Sequence, residues 1–310
     1  MQKNTITLTN NSTGETYEYD ILEATRGPAV VDIRTFFKDT GMFTYDPGYT
    51  STASCESKIT FIDGGKGELR YRSFPIEDLA TKHSYMETCF LLLNSRLPTK
   101  EELTDFDLEI RHRAFLHEGL RHLFNAFPDN AHPMATLSAA VTALSTFYND
   151  HLDMDHEEEY QEMARRIISK IPTIAAFAYR HSIGIPFIQP DIDMGYTENF
   201  LTMMRAYPGG KMHLGPNGHD KIKDVEIRAL DTIFTLHADH EQNASTTVVR
   251  NVASTGAHPY VAISSGISAL WGRAHGGANE SVIAQLEYIG SVENVEAFIK
   301  RAKDPNDNFR

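Results

Sequence analysis

The sequence predicts a mainly α-helical protein that begins with a small β-rich unit. Residues 5–9 and 16–20 alternate in polarity on either side of an Asn-Asn-Ser-Thr-Gly turn, which is typical of a hairpin. Residues 57–62 and 68–74 flank a glycine-rich turn and predict a second hairpin. From Ile76 onward the apolar spacing changes from two towards 3.6, so the rest of the chain is predicted to be helical.

Local signals place the ends of several helices. Thr99 is a suitable N-cap, with Glu102 three residues later as its capping-box partner. Pro133 suits the first turn of a helix that runs to Tyr148, and Pro172 is expected to separate two helices. The turn-rich segment 207–218 is expected to be a surface loop. The helices predicted in the second half of the chain cover residues 157–170, 173–183, 224–236, 245–254, 260–270, 278–289 and 292–302.

Composition excludes some partners. The 310 residues carry a formal net charge of −13, which gives no electrostatic reason to expect nucleic acid, and no Lys/Arg run marks a membrane surface. No stretch reaches the roughly 20 apolar residues that a membrane helix needs. Cys55 and Cys89 lie far apart without a CxxC motif, so we expect a reduced, cytoplasmic setting.

Polar groups concentrate in two short segments that are candidates for a site. Residues 236–245 carry two histidines, two acidic residues, an asparagine and a serine, more than a buried helix end normally holds. In residues 271–280, His275 precedes Gly276 and Gly277, and glycines beside an imidazole let a ligand approach the ring. A lone histidine is nevertheless more often structural than catalytic.

A metal site is one interpretation of the first segment. His237 and His240 would lie on neighbouring faces of a helix, with Asp239 beside them, as in a metal-dependent hydrolase. Against this, the segment has no HExxH motif and no third ligand at a characteristic spacing. We therefore expect no stoichiometric metal, which elemental analysis of the purified protein would test.

The two segments, LHADHEQNAS and ALWGRAHGGANE, resemble citrate synthase, and specifically a bacterial branch with an additional N-terminal β-rich segment. Residues 46–72, 132–148 and 298–310 resemble the same family, so the likeness covers nearly the whole chain. The resemblance implies a citrate synthase large helical domain with the first helices of the small domain. The implied division is a β-rich unit at 1–74, the large domain at 75–275 and the start of the small domain at 276–310.

The resemblance also implies an activity and roles for four residues. Citrate synthase condenses acetyl-CoA with oxaloacetate and hydrolyses the resulting thioester, without a resident cofactor. His275 would hydrogen-bond the acetyl-CoA carbonyl, and Ser245 would orient its ring through the other nitrogen. His240 would contact oxaloacetate, with Asn243 as a supporting residue.

Regulation and assembly are further implications of the resemblance. Some members of the branch bind NADH at an allosteric site between subunits, and the family's dimers assemble into hexamers in this branch. Three cations, a histidine and an aromatic ring match that site, although Arg113 stands where a small hydroxyl residue is expected and a solvated charged helix face explains the same set. The matching residues are Arg111, His112, Tyr148, Arg166 and Lys170.

The family pattern continues past a segment like NDNFR (306–310) into a GFGHR loop and later supplies a catalytic Asp and substrate-binding Arg residues. Because none of these lies within residues 1–310, the resemblance implies a chain that is truncated before its active site is complete, and we expect such a chain to form no citrate by itself. A non-catalytic assembly fragment is therefore the remaining alternative.

Overall fold

The computed structural model describes residues 4–148, 156–207, 211–212 and 222–307, with only the backbone described at 207, 211 and 212. It is mainly helical, as predicted, and separates into two compact units. The first comprises residues 1–97 and 232–241, and the second comprises residues 98–231 and 242–310. The domain boundaries after residues 74 and 275 stay predictions. Within the described ranges no helix is both long and apolar enough to cross a membrane.

The first unit contains both predicted hairpins. Strands β1 (Thr5–Thr9) and β2 (Thr16–Leu22) pair antiparallel, and β3 (Val30–Val31) is the short third strand. Helix α1 (Phe36–Thr40) follows. The second sheet has the order β4 (Thr60–Asp63), β5 (Glu68–Tyr71) and β6 (Phe74–Pro75). Helices α2 (Ile76–Lys82) and α3 (Tyr85–Asn94) complete the consecutive part of the unit.

A compact core joins the second sheet to these helices. Tyr71, Leu79 and Leu91 are fully buried there, and Ala238 from the later segment of the unit packs against them. The pairing of Tyr71 with Thr60 places the tyrosine at the end of β5 that leads into the helices. Residues 232–241 thus belong to the β-rich unit although they lie far along the sequence.

The second unit is built from helices. Its first helices are α4 (Lys100–His112), α5 (Glu118–Phe124), α6 (Pro133–Phe147), α7 (Glu157–Ser182) and α8 (Tyr196–Arg205). The strands β7 (Ala206–Tyr207) and β8 (Lys211–Met212) pair, and the rest of the predicted 207–218 loop lies outside the described residues. Then follow α9 (Asp224–Leu236), whose last residues belong to the first unit, α10 (Ala244–Ala253), α11 (Pro259–Leu270), α12 (Gly277–Ile289), a 3-10 turn (Val292–Asn294) and α13 (Val295–Lys303).

Helix caps explain several of these boundaries. The Thr99–Glu102 capping box is present as predicted. His117, His132 and His258 also cap helices, because each ring accepts a hydrogen bond at Nδ1 from the backbone N–H two residues later. Such caps satisfy donors that the first turn of a helix leaves unpaired.

The prediction that Pro172 separates two helices is wrong. Helix α7 includes Pro172 in its interior and is 26 residues long in all. Pro172 has no N–H to give to the carbonyl of Ile168, and this missing bond normally makes a proline break a helix. The Tyr196 hydroxyl donates to that carbonyl at 2.9 Å, so the orphaned acceptor is satisfied by a side chain from α8.

The core of the second unit lies between α5, α6, α7 and α11. Between α6 and α11 the contact is polar, because the hydroxyls of Ser138 and Thr142 hydrogen-bond Ser264 at 2.9 and 2.6 Å. These small side chains fix α11 against α6 at short range. The buried apolar members of the core are Leu120, Phe124, Ala140, Val141, Leu144, Met163, Ile167, Ile174, Phe177, Ala178, Tyr260 and Ile267.

Candidate functional site

His275 lies in a tight turn between α11 and α12. The turn is tied by backbone hydrogen bonds, in which Gly276 donates to Leu270 and Gly277 donates to Gly272. A Cβ atom added at Gly276 would lie 2.5 Å from the Leu270 carbonyl oxygen, closer than any real side chain allows. The glycine is therefore required for the turn, and the half-buried His275 ring is held just before the first residue of α12.

The Ser245 side chain meets the His275 ring. Their Oγ and Nε2 atoms are 2.8 Å apart, although the two residues are separated by 30 positions. A hydroxyl that donates to Nε2 leaves the proton of a neutral imidazole on Nδ1, which makes Nδ1 a hydrogen-bond donor. With the hydroxyl as the donor, the contact presents one oriented N–H group, at Nδ1.

Close packing of α10 on α11 positions Ser245. A Cβ atom at Gly266 would lie 2.5 Å from a methyl group of Val249 and 3.5 Å from the Ser245 carbonyl oxygen. Asn243 starts α10, because its Oδ1 accepts a hydrogen bond of 2.9 Å from the Thr246 N–H. Asn243 is thus the N-cap of the helix that carries Ser245.

Both members of the pair lie at the start of a helix. Ser245 is the second residue of α10, and His275 precedes α12 by two residues. The aligned peptide dipoles give the N-terminus of a helix a partial positive charge, although the first N–H groups of α12 already donate to Gly272, His275 and Gly276. The surroundings of the pair therefore favour negative charge that develops on a bound group.

The His240 segment belongs to the first unit. His240 itself is exposed, and two of its neighbours make contacts within the segment. The Nδ1 atom of His237 lies 2.8 Å from the carbonyl oxygen of Ile233. The Asp239 carboxylate accepts a hydrogen bond of 3.1 Å from the Glu241 N–H. Among the described residues no three His, Cys, Asp or Glu side chains are grouped to hold a metal ion. The structure thus gives no support to the metal-dependent hydrolase.

Three of the five residues matched to the NADH site lie together in the second unit. The Arg166 guanidinium and the Lys170 ammonium lie 4.9 and 5.3 Å from the centre of the Tyr148 ring. Lys170 is buried and donates to the carbonyls of Arg113 and Phe115 at 2.7 and 2.6 Å. Burial, aided by the charges of Arg166 and Arg113, lowers the pKa of Lys170 to about 8.

The other two matched residues make different contacts. Arg111 pairs with Asp107 one helical turn earlier, and His112 is exposed as the last residue of α4. A carboxylate that the sequence analysis missed, Glu162, lies 2.8 Å from both Arg113 and Arg166. Its i, i+4 spacing from Arg166 on α7 was a signal that pointed to it. The charge cluster therefore contains an acid as well as its cations.

Comparison with known proteins connects this geometry to a family. The family model described as "Citrate synthase, C-terminal domain" matches residues 48–309. The chain belongs to the citrate synthase family. A curated citrate synthase from Helicobacter pylori is 56% identical over 306 residues, which are 98% of this chain and 72% of that relative.

Solved citrate synthase structures share the fold. The Thermotoga maritima enzyme is 33% identical, with a TM-score of 0.69 over 83% of this chain, and the Pyrobaculum aerophilum enzyme is 30% identical, with a TM-score of 0.72 over 93%. A ternary complex of carboxymethyl coenzyme A and oxaloacetate with the Thermoplasma acidophilum citrate synthase is 28% identical, with a TM-score of 0.72 over 84%. The chain spans 64, 66 and 63% of these three structures, less than two thirds of each.

Proposed function

We propose that the protein condenses acetyl-CoA with oxaloacetate and water to give citrate and CoA. The observation that carries the proposal is the 2.8 Å contact between Ser245 and His275, which provides an oriented donor beside two helix N-termini. Family membership and the Thermoplasma acidophilum complex with carboxymethyl coenzyme A and oxaloacetate support the choice of substrates.

The chemistry explains why such a donor is needed. Removing a methyl proton from the acetyl thioester moves an electron pair onto its carbonyl oxygen and forms an enolate. The Nδ1–H of His275 donates to that oxygen as its negative charge grows, and Ser245 keeps the proton on Nδ1. The enolate carbon then bonds to the ketone carbon of oxaloacetate, the ketone oxygen takes the electron pair of the C=O π bond and a proton to become the citrate hydroxyl, and water cleaves the resulting thioester to release CoA as a thiol. We assign no base for the methyl proton among the described residues.

His240 is the proposed oxaloacetate contact. Oxaloacetate is an anion, and a chain with a net charge of −13 must bind it through local donors. A contact made equally in the ground state and the transition state lowers KM without raising kcat. The exposed His240 ring is available for such a contact. Asn243 is the proposed supporting residue, and it caps the next helix.

Release of the CoA thiol in the intact protein tests the function. His275→Ala is expected to lower kcat by about 10²–10³, the effect of removing one donor to a developing oxyanion. His240→Ala is expected to raise KM for oxaloacetate with a smaller effect on kcat. A His275→Ala protein that melts early but turns over at the parental rate would contradict the assignment.

We also propose that the cluster around Tyr148 binds NADH as an allosteric effector, with Arg166 facing its phosphates, the buried Lys170 holding the Arg113 and Phe115 carbonyls beside the Tyr148 ring, and Arg111 and His112 completing the site. The support is the convergence of two cations on one aromatic ring. Arg166→Ala should weaken NADH binding at least tenfold by fluorescence titration. Arg165→Ala, a neighbouring cation that contacts Glu109, is the matched control. Equal effects of the two variants would indicate a solvated charged face instead.

For assembly, we propose a cytoplasmic homodimer that associates into a hexamer, as in the branch that the chain resembles. Native mass spectrometry of the intact protein tests this directly. Dimers and hexamers are expected, and a monomer at micromolar concentration would contradict the proposal.

A further inference from the structure

The hydroxyl of Tyr71 lies at the point where α9 ends and the His240 segment begins. Tyr71 is fully buried, and its Oη atom is 3.2 Å from the carbonyl oxygen of Thr235, 3.3 Å from that of Leu236 and 3.0 Å from that of Asp239. The Asp239 N–H donates to the same hydroxyl at 3.3 Å. One side chain from β5 therefore meets the carbonyls that the end of a helix leaves unpaired and also holds the residue before His240.

Glu241 holds the residue after His240. Its Oε1 atom accepts a 2.6 Å hydrogen bond from the backbone N–H of Ile62 on β4. Because β4 is an edge strand of its sheet, Glu241 supplies an acceptor of the kind that a further strand would offer. The backbone of Glu241 is left-handed, with φ of 53°, a conformation that non-glycine residues adopt only where their surroundings require it.

Packing adds a third attachment. Ala238 lies against the core formed by Tyr71, Leu79 and Leu91. The residues on either side of His240 are thus fixed to the β4–β5 sheet of the same unit, while the His240 ring itself is exposed. Such an arrangement fixes the backbone on both sides of His240 and leaves its imidazole ring accessible to a ligand.

We propose that Tyr71 and Glu241 are positioning residues that set the His240 ring for oxaloacetate. They act through the backbone at Asp239 and Glu241 and do not touch the substrate. The inference rests on the proposed function, because His240 is the oxaloacetate contact only if that function holds. Two residues that are more than 160 positions apart in the sequence would then contribute indirectly to oxaloacetate binding.

The first test removes only the hydroxyl. In Tyr71→Phe we expect the dissociation constant for oxaloacetate, measured by titration calorimetry, to rise about tenfold, as for the loss of a buried hydrogen-bonding group. The value of kcat at saturating oxaloacetate should stay within about twofold of the parental value. Tyr19→Phe is the matched control, because Tyr19 is buried in the same unit and its hydroxyl has no partner among the described residues.

Two substitutions at Glu241, one conservative and one not, give a second test. Glu241→Gln keeps an oxygen acceptor for the Ile62 N–H and should bind oxaloacetate almost as the parent does. Glu241→Ala should weaken binding as Tyr71→Phe does. In a His240→Ala background neither substitution should weaken it further, because both act through His240. If Tyr71→Phe lowers the melting temperature but leaves the oxaloacetate affinity unchanged well below that temperature, the positioning role is overturned.

A ligand-free measurement separates this inference from the proposed function. The imidazole cross-peak of His240, assigned by its loss in His240→Ala, should move in Tyr71→Phe and not in Tyr19→Phe. An unmoved His240 signal overturns the positioning role whether or not oxaloacetate binds. A His240 signal that moves in a protein that binds no oxaloacetate supports the positioning role and rejects the proposed function.

Discussion

Removing the Ser245 hydroxyl is the perturbation that bears most closely on the His275 site. Ser245→Ala deletes the group that lies 2.8 Å from Nε2 and leaves the rest of α10 unchanged. The His275 ring keeps its place in the glycine turn, so the donor is still present. What is lost is the interaction that holds the proton on Nδ1 and fixes the plane of the ring.

The structure sets the size of the effect. A hydrogen bond between neutral groups contributes about 0.5–1.5 kcal/mol net, and about 1.4 kcal/mol corresponds to tenfold in rate. Ser245→Ala should therefore lower kcat by about twofold to tenfold. This is much less than the 10²–10³ expected for His275→Ala, in which the donor itself is removed. KM for acetyl-CoA should change little.

A double-mutant cycle in the thiol-release assay tests the coupling. If Ser245 acts only through His275, then Ser245→Ala should have no further effect in a His275→Ala background. Ser281→Ala removes an exposed hydroxyl from α12 and serves as the control. Multiplicative losses from Ser245→Ala and His275→Ala would refute the reasoning, since they would show that Ser245 acts independently.

Three other predictions concern the turn, the proline and the buried lysine. Gly276→Ala should lower kcat at least tenfold, because the added Cβ would lie 2.5 Å from the Leu270 carbonyl and must move the His275 turn. Tyr196→Phe should lower the free energy of unfolding by about 1–3 kcal/mol in urea titrations, because it leaves the Ile168 carbonyl without its donor. The folded-state pKa of Lys170, about 8, lies below its ordinary value of 10.5, so the unfolded chain holds more protons between these values. The stability of the parent, measured relative to Lys170→Met, should therefore rise with pH from about 8 to about 10.5.

Each of these has a control or a contradicting result. Gly64→Ala adds a Cβ into open space and should leave kcat unchanged. Tyr179→Phe alters an exposed tyrosine on α7, and a stability loss equal to that of Tyr196→Phe would contradict the account of Pro172. A pH-independent difference between the parent and Lys170→Met would show that Lys170 does not titrate in that range.

Local sequence signals predicted much of the fold. The two hairpins, the capping box at Thr99 and the helices around the site follow from spacing within a few residues. These signals depend on residues that are close together in the sequence, so they can be recognised without the tertiary structure. The Pro172 prediction failed for the complementary reason. The hydroxyl that satisfies the Ile168 carbonyl comes from Tyr196, and no local pattern reveals that contact.

The candidate site, too, could be predicted only in part from local sequence signals. The glycine turn at His275 is visible in the sequence, but its meeting with Ser245 depends on how closely α10 approaches α11 at Gly266. The resemblance to citrate synthase supplied that pair. It did not supply Tyr71, which is 168 residues from Asp239 and reaches it only through the packing of the first unit.

The tautomer of His275 is the most direct test of the proposed mechanism. In protein labelled with ¹⁵N at histidine, His275 should show a protonated Nδ1 and an unprotonated Nε2 at neutral pH, and Ser245→Ala should shift that balance. A His275 ring that carries its proton on Nε2 in the parent protein would contradict the account, because Ser245 would then accept from the ring and Nδ1 would have no hydrogen to donate to the thioester carbonyl.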